Sequence, residues 1–216
     1  MFKEYLIKKG LDAALEIAKK VLKESKSELT TTRDDIEESI NHHLRSVSNW
    51  SGEISFNDLK RAKRTTDIFI ELDLYVYPRK LRFDPDKEVE SIPLREIFDY
   101  TSKHIVLLGQ PGAGKTTSMK YLCQTLFHQD IHADRFSFPI LIKLRDLNNV
   151  KIPNDSSIIF SQIYNILGLN IELPNVLLSG KASGERKYLK EKLVINMLEE
   201  LTALLILDGF ADVWTH

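Results

Sequence analysis

Gly109-Gln110-Pro111-Gly112-Ala113-Gly114-Lys115-Thr116-Thr117 is the stretch that decides the fold. It fits the pattern Gly, four residues, Gly-Lys-Thr, and it stands between a short apolar run and a helical run, where a phosphate-cradling loop has to stand. Each residue type has a chemical reason. Gly109, Gly112 and Gly114 allow backbone conformations and a closeness of approach that a Cβ would obstruct. With Gln110, Pro111 and Ala113 they form a turn whose N–H groups, together with those of the first helical turn, point at an anion. Lys115 supplies a full positive charge to the β- and γ-phosphates. Thr116 offers a hydroxyl to Mg²⁺, and Thr117 reaches toward the α-phosphate by backbone or hydroxyl. The expected ligand is a nucleoside triphosphate with Mg²⁺.

Working outward, helical and extended signals alternate. His104–Leu108 is a brief apolar run of buried-strand type, and Lys115–Phe127 has a helical pattern. Phe138–Leu144 reads as a second strand and Ala203–Leu207 as a third, with helices over Ser157–Leu167 and Arg186–Leu201 and a short one over Ile92–Tyr100. Such alternation predicts an α/β P-loop NTPase fold, a parallel sheet flanked by helices. The third strand ends in Asp208-Gly209. An aspartate closing an apolar strand far downstream of a phosphate loop is the Walker B arrangement, and Asp208 is expected to hold the Mg²⁺ shell through a water. After Lys115 no Asn-Lys-x-Asp or Thr-Lys-x-Asp segment is present to read a guanine ring, so an adenine nucleotide, ATP, is the expectation.

Ahead of this unit the periodicity is helical. Ile7, Leu11, Ala14, Leu15, Ala18, Val21 and Leu22 recur on one face of residues 2–24. Thr30-Thr31-Thr32 before Asp34-Asp35 supplies hydroxyl caps and acidic residues for a second helix, expected to end near Ser48-Asn49. A third short helix is expected from Asn57 to Lys63. Asp67–Tyr77 partly alternates apolar and acidic residues and reads as extended. A domain boundary is placed between about 80 and 92, giving an N-terminal helical unit over 1–85 and a nucleotide-binding domain over 90–216.

Composition excludes several classes. Thirty Lys and Arg against 31 Asp and Glu give a net charge of −1, so no global positive field attracts nucleic acid or an anionic membrane. A single Cys rules out an internal disulfide framework and a clustered-thiolate zinc site. No signal peptide pattern and no apolar run of membrane-spanning length occurs, and the expected location is cytoplasmic. The remaining polar clusters have bland readings. Cys123 falls on an apolar helix face with Met119, Leu122 and Leu126, as a core thiol. His128, Asp130, His132 and Asp134 read as a solvated turn, Lys60-Arg61-Lys63-Arg64 as a solvated helix face, and His42-His43 as the rim of the second helix.

The loop Gly109–Thr117 together with Leu204-Leu205-Ile206-Leu207-Asp208-Gly209-Phe210 resembles the NACHT domain of STAND-class signalling NTPases. The chain also resembles bacterial antiviral NACHT proteins, which too carry a helical unit ahead of the loop. Asp67–Tyr77, Pro78-Arg79 and Ile92-Pro93-Leu94 are similar to their lead-in. The resemblance implies ATP binding, a conformational switch and self-association, with Lys115, Asp208 and Asp212 as the catalytic set. Gly209 fits the small position after the Walker B aspartate. The acidic pair that follows in the family falls on Ala211 and Asp212, so one carboxylate is missing and hydrolysis is expected to be weak. The chain ends eight residues past Asp208, ahead of the family's sensor strand, which suggests either a piece of a longer protein or a shortened form. The alternative expectation is a non-hydrolysing partner of a full-length NACHT homologue.

Overall fold

The computed structural model describes residues 2–24, 26–55, 61–75, 91–100, 104–128, 136–147, 157–172 and 183–209. They form two compact units that interleave along the chain: residues 1–49 with 130–216, and residues 50–129. The compositional boundary expected at 80–92 falls almost wholly in residues 76–90, outside the described residues.

The first unit is built on two parallel strands, β6 (Pro139–Lys143) and β8 (Leu204–Asp208), in the register Pro139↔Leu204 to Lys143↔Asp208. Both were expected as strands, and their parallel pairing is the part of the predicted sheet that the described residues contain. Helix α1 (Phe2–Glu24) buries the predicted stripe of Leu11, Ala14, Ala18, Val21 and Leu22. Helix α2 (Arg33–Gly52) contributes Ile36 and Ile40, α6 (Ser157–Ile166) Ile163 and Tyr164, and α7 (Ser183–Leu201) Leu193, Val194, Met197 and Leu201. These side chains share one core with Ile140 and Ile142 of β6. The N-terminal helices therefore pack as part of the layer that covers the parallel pair, not as an appendage to it. No helix among the described residues is long and apolar enough to cross a membrane.

Local chemistry explains the helix starts and joints. Thr32 precedes α2 and forms a reciprocal cap: its Oγ1 accepts from the Asp35 N–H at 3.2 Å, while Asp35 Oδ2 accepts from the Thr32 N–H at 2.8 Å and hydroxyl at 2.6 Å. The hydroxyl bond, then the backbone bond, hold the Asp35 carboxyl below its usual range. The short strand β1 (Glu28–Leu29) pairs antiparallel with β7 (Ile171–Glu172). Beside it the Thr31 hydroxyl donates to Gly168 O and Asn170 O, both at 3.2 Å. Gly168 takes φ +63°, and a Cβ there would lie 2.8 Å from Ser39 Cβ.

His42 is exposed and His43 half-buried, so the pair straddles the rim of α2. His43 Nε2 accepts the Leu141 N–H at 3.1 Å, so an imidazole nitrogen satisfies a backbone donor of β6 that the ladder leaves over. Burial, and secondarily His42, push its pKa down to about 4.

The second unit departs from expectation in several places. Helix α2 runs to Gly52, past the predicted end, because Ser51 is held by tertiary hydrogen bonds described below. Lys63, expected to end a third helix, instead forms β3 (Lys63–Arg64), paired antiparallel with β2 (Glu53–Ile54); residues 56–60 lie outside the described residues. A four-residue helix, α3 (Thr65–Ile68), precedes the extended segment, which becomes β4 (Asp73–Tyr75) against β5 (Ser91–Pro93). The pairing of Ile92 with Leu74 delays the expected helix, so a 3₁₀ turn at Leu94–Glu96 leads into α4 (Ile97–Tyr100). The larger correction is His104–Leu108. It forms no strand, and Ile105, Val106 and Leu108 are 37%, 77% and 87% exposed. An apolar run becomes a buried strand only when neighbours take up its N–H and C=O groups, and no described strand pairs with it.

Two outcomes follow. Gly168→Ala places a left-handed φ and a clash with Ser39 on the joint between α2 and α6, and should lower unfolding free energy by about 1–3 kcal/mol in denaturant titrations. Burial holds the His43 pKa at about 4 in the folded chain, whereas in the unfolded chain it returns to the ordinary imidazole value of about 6.5. Its contribution is therefore complete above pH 6.5 and is lost as pH falls toward 4. Allowing for partial exposure, the loss is about 2 kcal/mol. His43→Gln, which keeps an acceptor for Leu141, should flatten that acid limb in melting curves recorded across the range.

Candidate functional site

The phosphate loop belongs to the second unit and opens helix α5 (Lys115–His128). Gly112 and Gly114 take φ +81° and +80°, the left-handed region that only glycine enters without strain. A Cβ on Gly109 would stand 3.2 Å from Ala113 Cβ, and one on Gly114 3.5 Å from Leu72. The turn is closed by the Ala113 N–H donating to Gln110 O at 3.1 Å. Ser118 anchors the helix start, its N–H and hydroxyl donating to Gly114 O at 2.8 and 3.0 Å.

Lys115 folds back over this loop. Its ammonium donates to Gly109 O at 2.8 Å and Gln110 O at 2.9 Å. The carbonyls hold the positive charge above the turn, where an anion entering the loop would meet both the ammonium and the helix N-terminus. Gly109, Gln110, Gly112, Ala113, Gly114 and Lys115 thus share one turn. Pro111 lies exposed on the same turn, and Thr116 and Thr117 sit half-buried in the first turn of α5.

The helix behind the loop is tied down by contacts that the sequence did not reveal. Gln124 Nε2 donates to Ser51 Oγ at 2.7 Å, and the Thr65 hydroxyl donates to Ser51 O at 2.5 Å. Ser51 and Thr65 are fully buried. Lys120 donates to Glu53 O at 2.6 Å and lies 5.5 Å from the centre of the Trp50 ring. Tyr121 stacks on Phe69 with centroids 3.9 Å apart. Cys123 is buried on this helix, as expected.

Asp208 belongs to the first unit. It ends β8 and is only 6% exposed, and Gly209 follows at φ +87°. A glycine suits that position because the left-handed φ strains any residue with a Cβ. Ile140 and Ile142 join the helical core, so the alternate residues Leu141 and Lys143, with their partners Ile206 and Asp208, lie on the opposite face of the pair. Asp212 lies outside the described residues, as do residues 129–135 of the expected solvated turn. Among the described residues no three His, Cys, Asp or Glu side chains gather as a cation cage. Mg²⁺ keeps waters and takes most of its protein-bound shell from one or two carboxylates and substrate phosphates.

A left-handed glycine turn capping a helix, with a lysine bridging its carbonyls, defines a phosphate-loop nucleotide-binding module. The chain belongs to the NACHT domain family, whose model matches residues 103–215, just over half its length. No curated protein and no solved structure matches it. NACHT domains have the P-loop NTPase fold and serve as nucleotide-binding signalling modules.

Lys115→Ala should weaken ATP binding more than about tenfold, or 1.4 kcal/mol. The fold should remain, because the ammonium bonds only loop carbonyls. Equilibrium titration with a fluorescent ATP analogue, alongside circular dichroism, checks both halves.

Proposed function

We propose that the chain is an ATP-binding switch of the STAND class whose conformation follows the nucleotide it holds. The observation that carries this reading is the loop geometry: Gly112 and Gly114 in left-handed conformations at the start of α5, with Lys115 poised on the Gly109 and Gln110 carbonyls. In the proposed mechanism the phosphates displace those carbonyls from the ammonium and take the loop N–H groups. Thr116 and Asp208 would hold Mg²⁺, which supplies charge neutralisation at the phosphates. Adenine is favoured over guanine because no guanine-reading segment follows the loop.

Hydrolysis is proposed to be slow, with binding as the main event. Supporting this, Ala211 stands where the family pattern places one of two acidic residues, leaving Asp212 as the remaining carboxylate. The division of labour we propose assigns nucleotide binding to residues 90–216 and docking or signalling to the helical unit within 1–85, in the cytoplasm. Similarity to bacterial antiviral NACHT proteins in the loop and the Walker B strand supports a role in antiphage defence, exerted through self-association. A non-hydrolysing partner of a full-length homologue is the second reading, favoured by the same Ala211.

Magnesium-ATP at roughly 1,000 times its dissociation constant adds about 4 kcal/mol to a two-state fold, so it should raise the melting temperature by several degrees. ADP should act on the same chain, and a phosphate-release assay should show little turnover. An unchanged melting curve at millimolar Mg-ATP would contradict the reading.

A further inference from the structure

One extended segment of the second unit runs against the helix that opens from the phosphate loop. It is anchored at the fully buried Thr65, whose hydroxyl donates to Ser51 O, while Gln124 of α5 donates to Ser51 Oγ at 2.7 Å. The Phe69 N–H closes α3 on Thr65 O at 3.0 Å, and the chain leaves in an extended conformation, with φ −69° and ψ 123° at Phe69. The Phe69 ring stacks on Tyr121 of α5, with centroids 3.9 Å apart and planes 9° apart. Leu72 follows, half-buried, its Cδ1 3.5 Å from the place a Cβ on Gly114 would take. The small sheet backs it: Leu72 O accepts the N–H of the fully buried Leu94 at 3.0 Å, and Glu71 pairs with Arg95 at 3.3 Å. The spans match. The extended step from Phe69 to Leu72 reaches about 10 Å, and α5 rises about 9 Å from Lys115 to Tyr121, so the segment has little slack.

We propose that Leu72 is a positioning residue for the phosphate loop, and that Phe69–Leu72 is the strap that holds it against Gly114. Gly114 stands in the left-handed region at φ +80°, and its carbonyl takes both Ser118 bonds. A glycine leaves that conformation as readily as it enters it. An apolar wall on one side of it therefore keeps the loop N–H groups aimed before any anion arrives. The proposal rests on the nucleotide reading of the loop, and it assigns Leu72 to the loop's conformation and not to contact with a base.

The test compares the whole parent chain with Leu72→Ala, Leu72→Met and Phe69→Leu, using circular dichroism to check folding. An apparent dissociation constant rises as the binding-competent fraction falls, so Leu72→Ala should weaken Mg-ATP and inorganic tripolyphosphate by the same factor, about tenfold. Leu72→Met, which keeps the contact, should restore most of the loss, and Phe69→Leu should weaken both ligands in the same direction. In the nucleotide-free chain, Leu72→Ala should quicken hydrogen exchange at the Ala113 and Ser118 amides about tenfold, with Leu122 and Cys123 deeper in α5 unchanged. A loss confined to ATP would overturn the proposal, because Leu72 would then be a contact of the base. Unchanged exchange at Ala113 and Ser118 would overturn it, and so would equal acceleration throughout α5, which would mean ordinary packing. The two readings fail separately: a parent that binds neither ATP nor tripolyphosphate removes the switch, while the exchange rates still decide the strap.

Discussion

The parallel pairing of Pro139–Lys143 with Leu204–Asp208 is the constraint on which the first unit depends. Its register decides which side chains face the helices. Ile140 and Ile142 point into the core made by α1, α2, α6 and α7, which leaves Leu141, Lys143, Ile206 and Asp208 on the other face. A slip of one residue would turn the aspartate into the apolar core. The helices thus fix the chemistry indirectly, by making one register much cheaper than its neighbours. His43 closes the matter from the side, taking the Leu141 N–H that the ladder leaves over.

In the second unit the equivalent constraint is the start of α5. Two left-handed glycines and the Ser118 bonds to Gly114 O set the turn, and the contacts of Gln124, Lys120 and Tyr121 hold the helix behind it. A phosphate loop works by preorganisation, since donors already aimed at the anion need little rearrangement on binding. The buried bonds of Ser51 to Gln124 and Thr65 stiffen the base of that loop, and they join the last turn of α2 to the helix that carries Lys115.

Much of this was legible in the sequence, for identifiable reasons. The loop could be read because each of its positions has a steric or electrostatic requirement that few residue types meet. Helix α1 and strands β6 and β8 could be read because their apolar patterns are long or unbroken. What could not be read depends on partners distant in sequence. His104–Leu108 has the composition of a buried strand, yet composition does not supply a neighbour. Ile92 belongs to a strand because Leu74 pairs with it, and α2 lengthens because Thr65 and Gln124 meet Ser51.

The central claim is that the left-handed glycine loop with its lysine is an adenine-nucleotide site. An equilibrium titration of the purified chain with ATP and with GTP, both with Mg²⁺, tests it most directly. The account predicts saturable one-to-one binding of ATP, tighter than that of GTP. No saturable binding at millimolar ATP, or GTP bound at least as tightly, would contradict it.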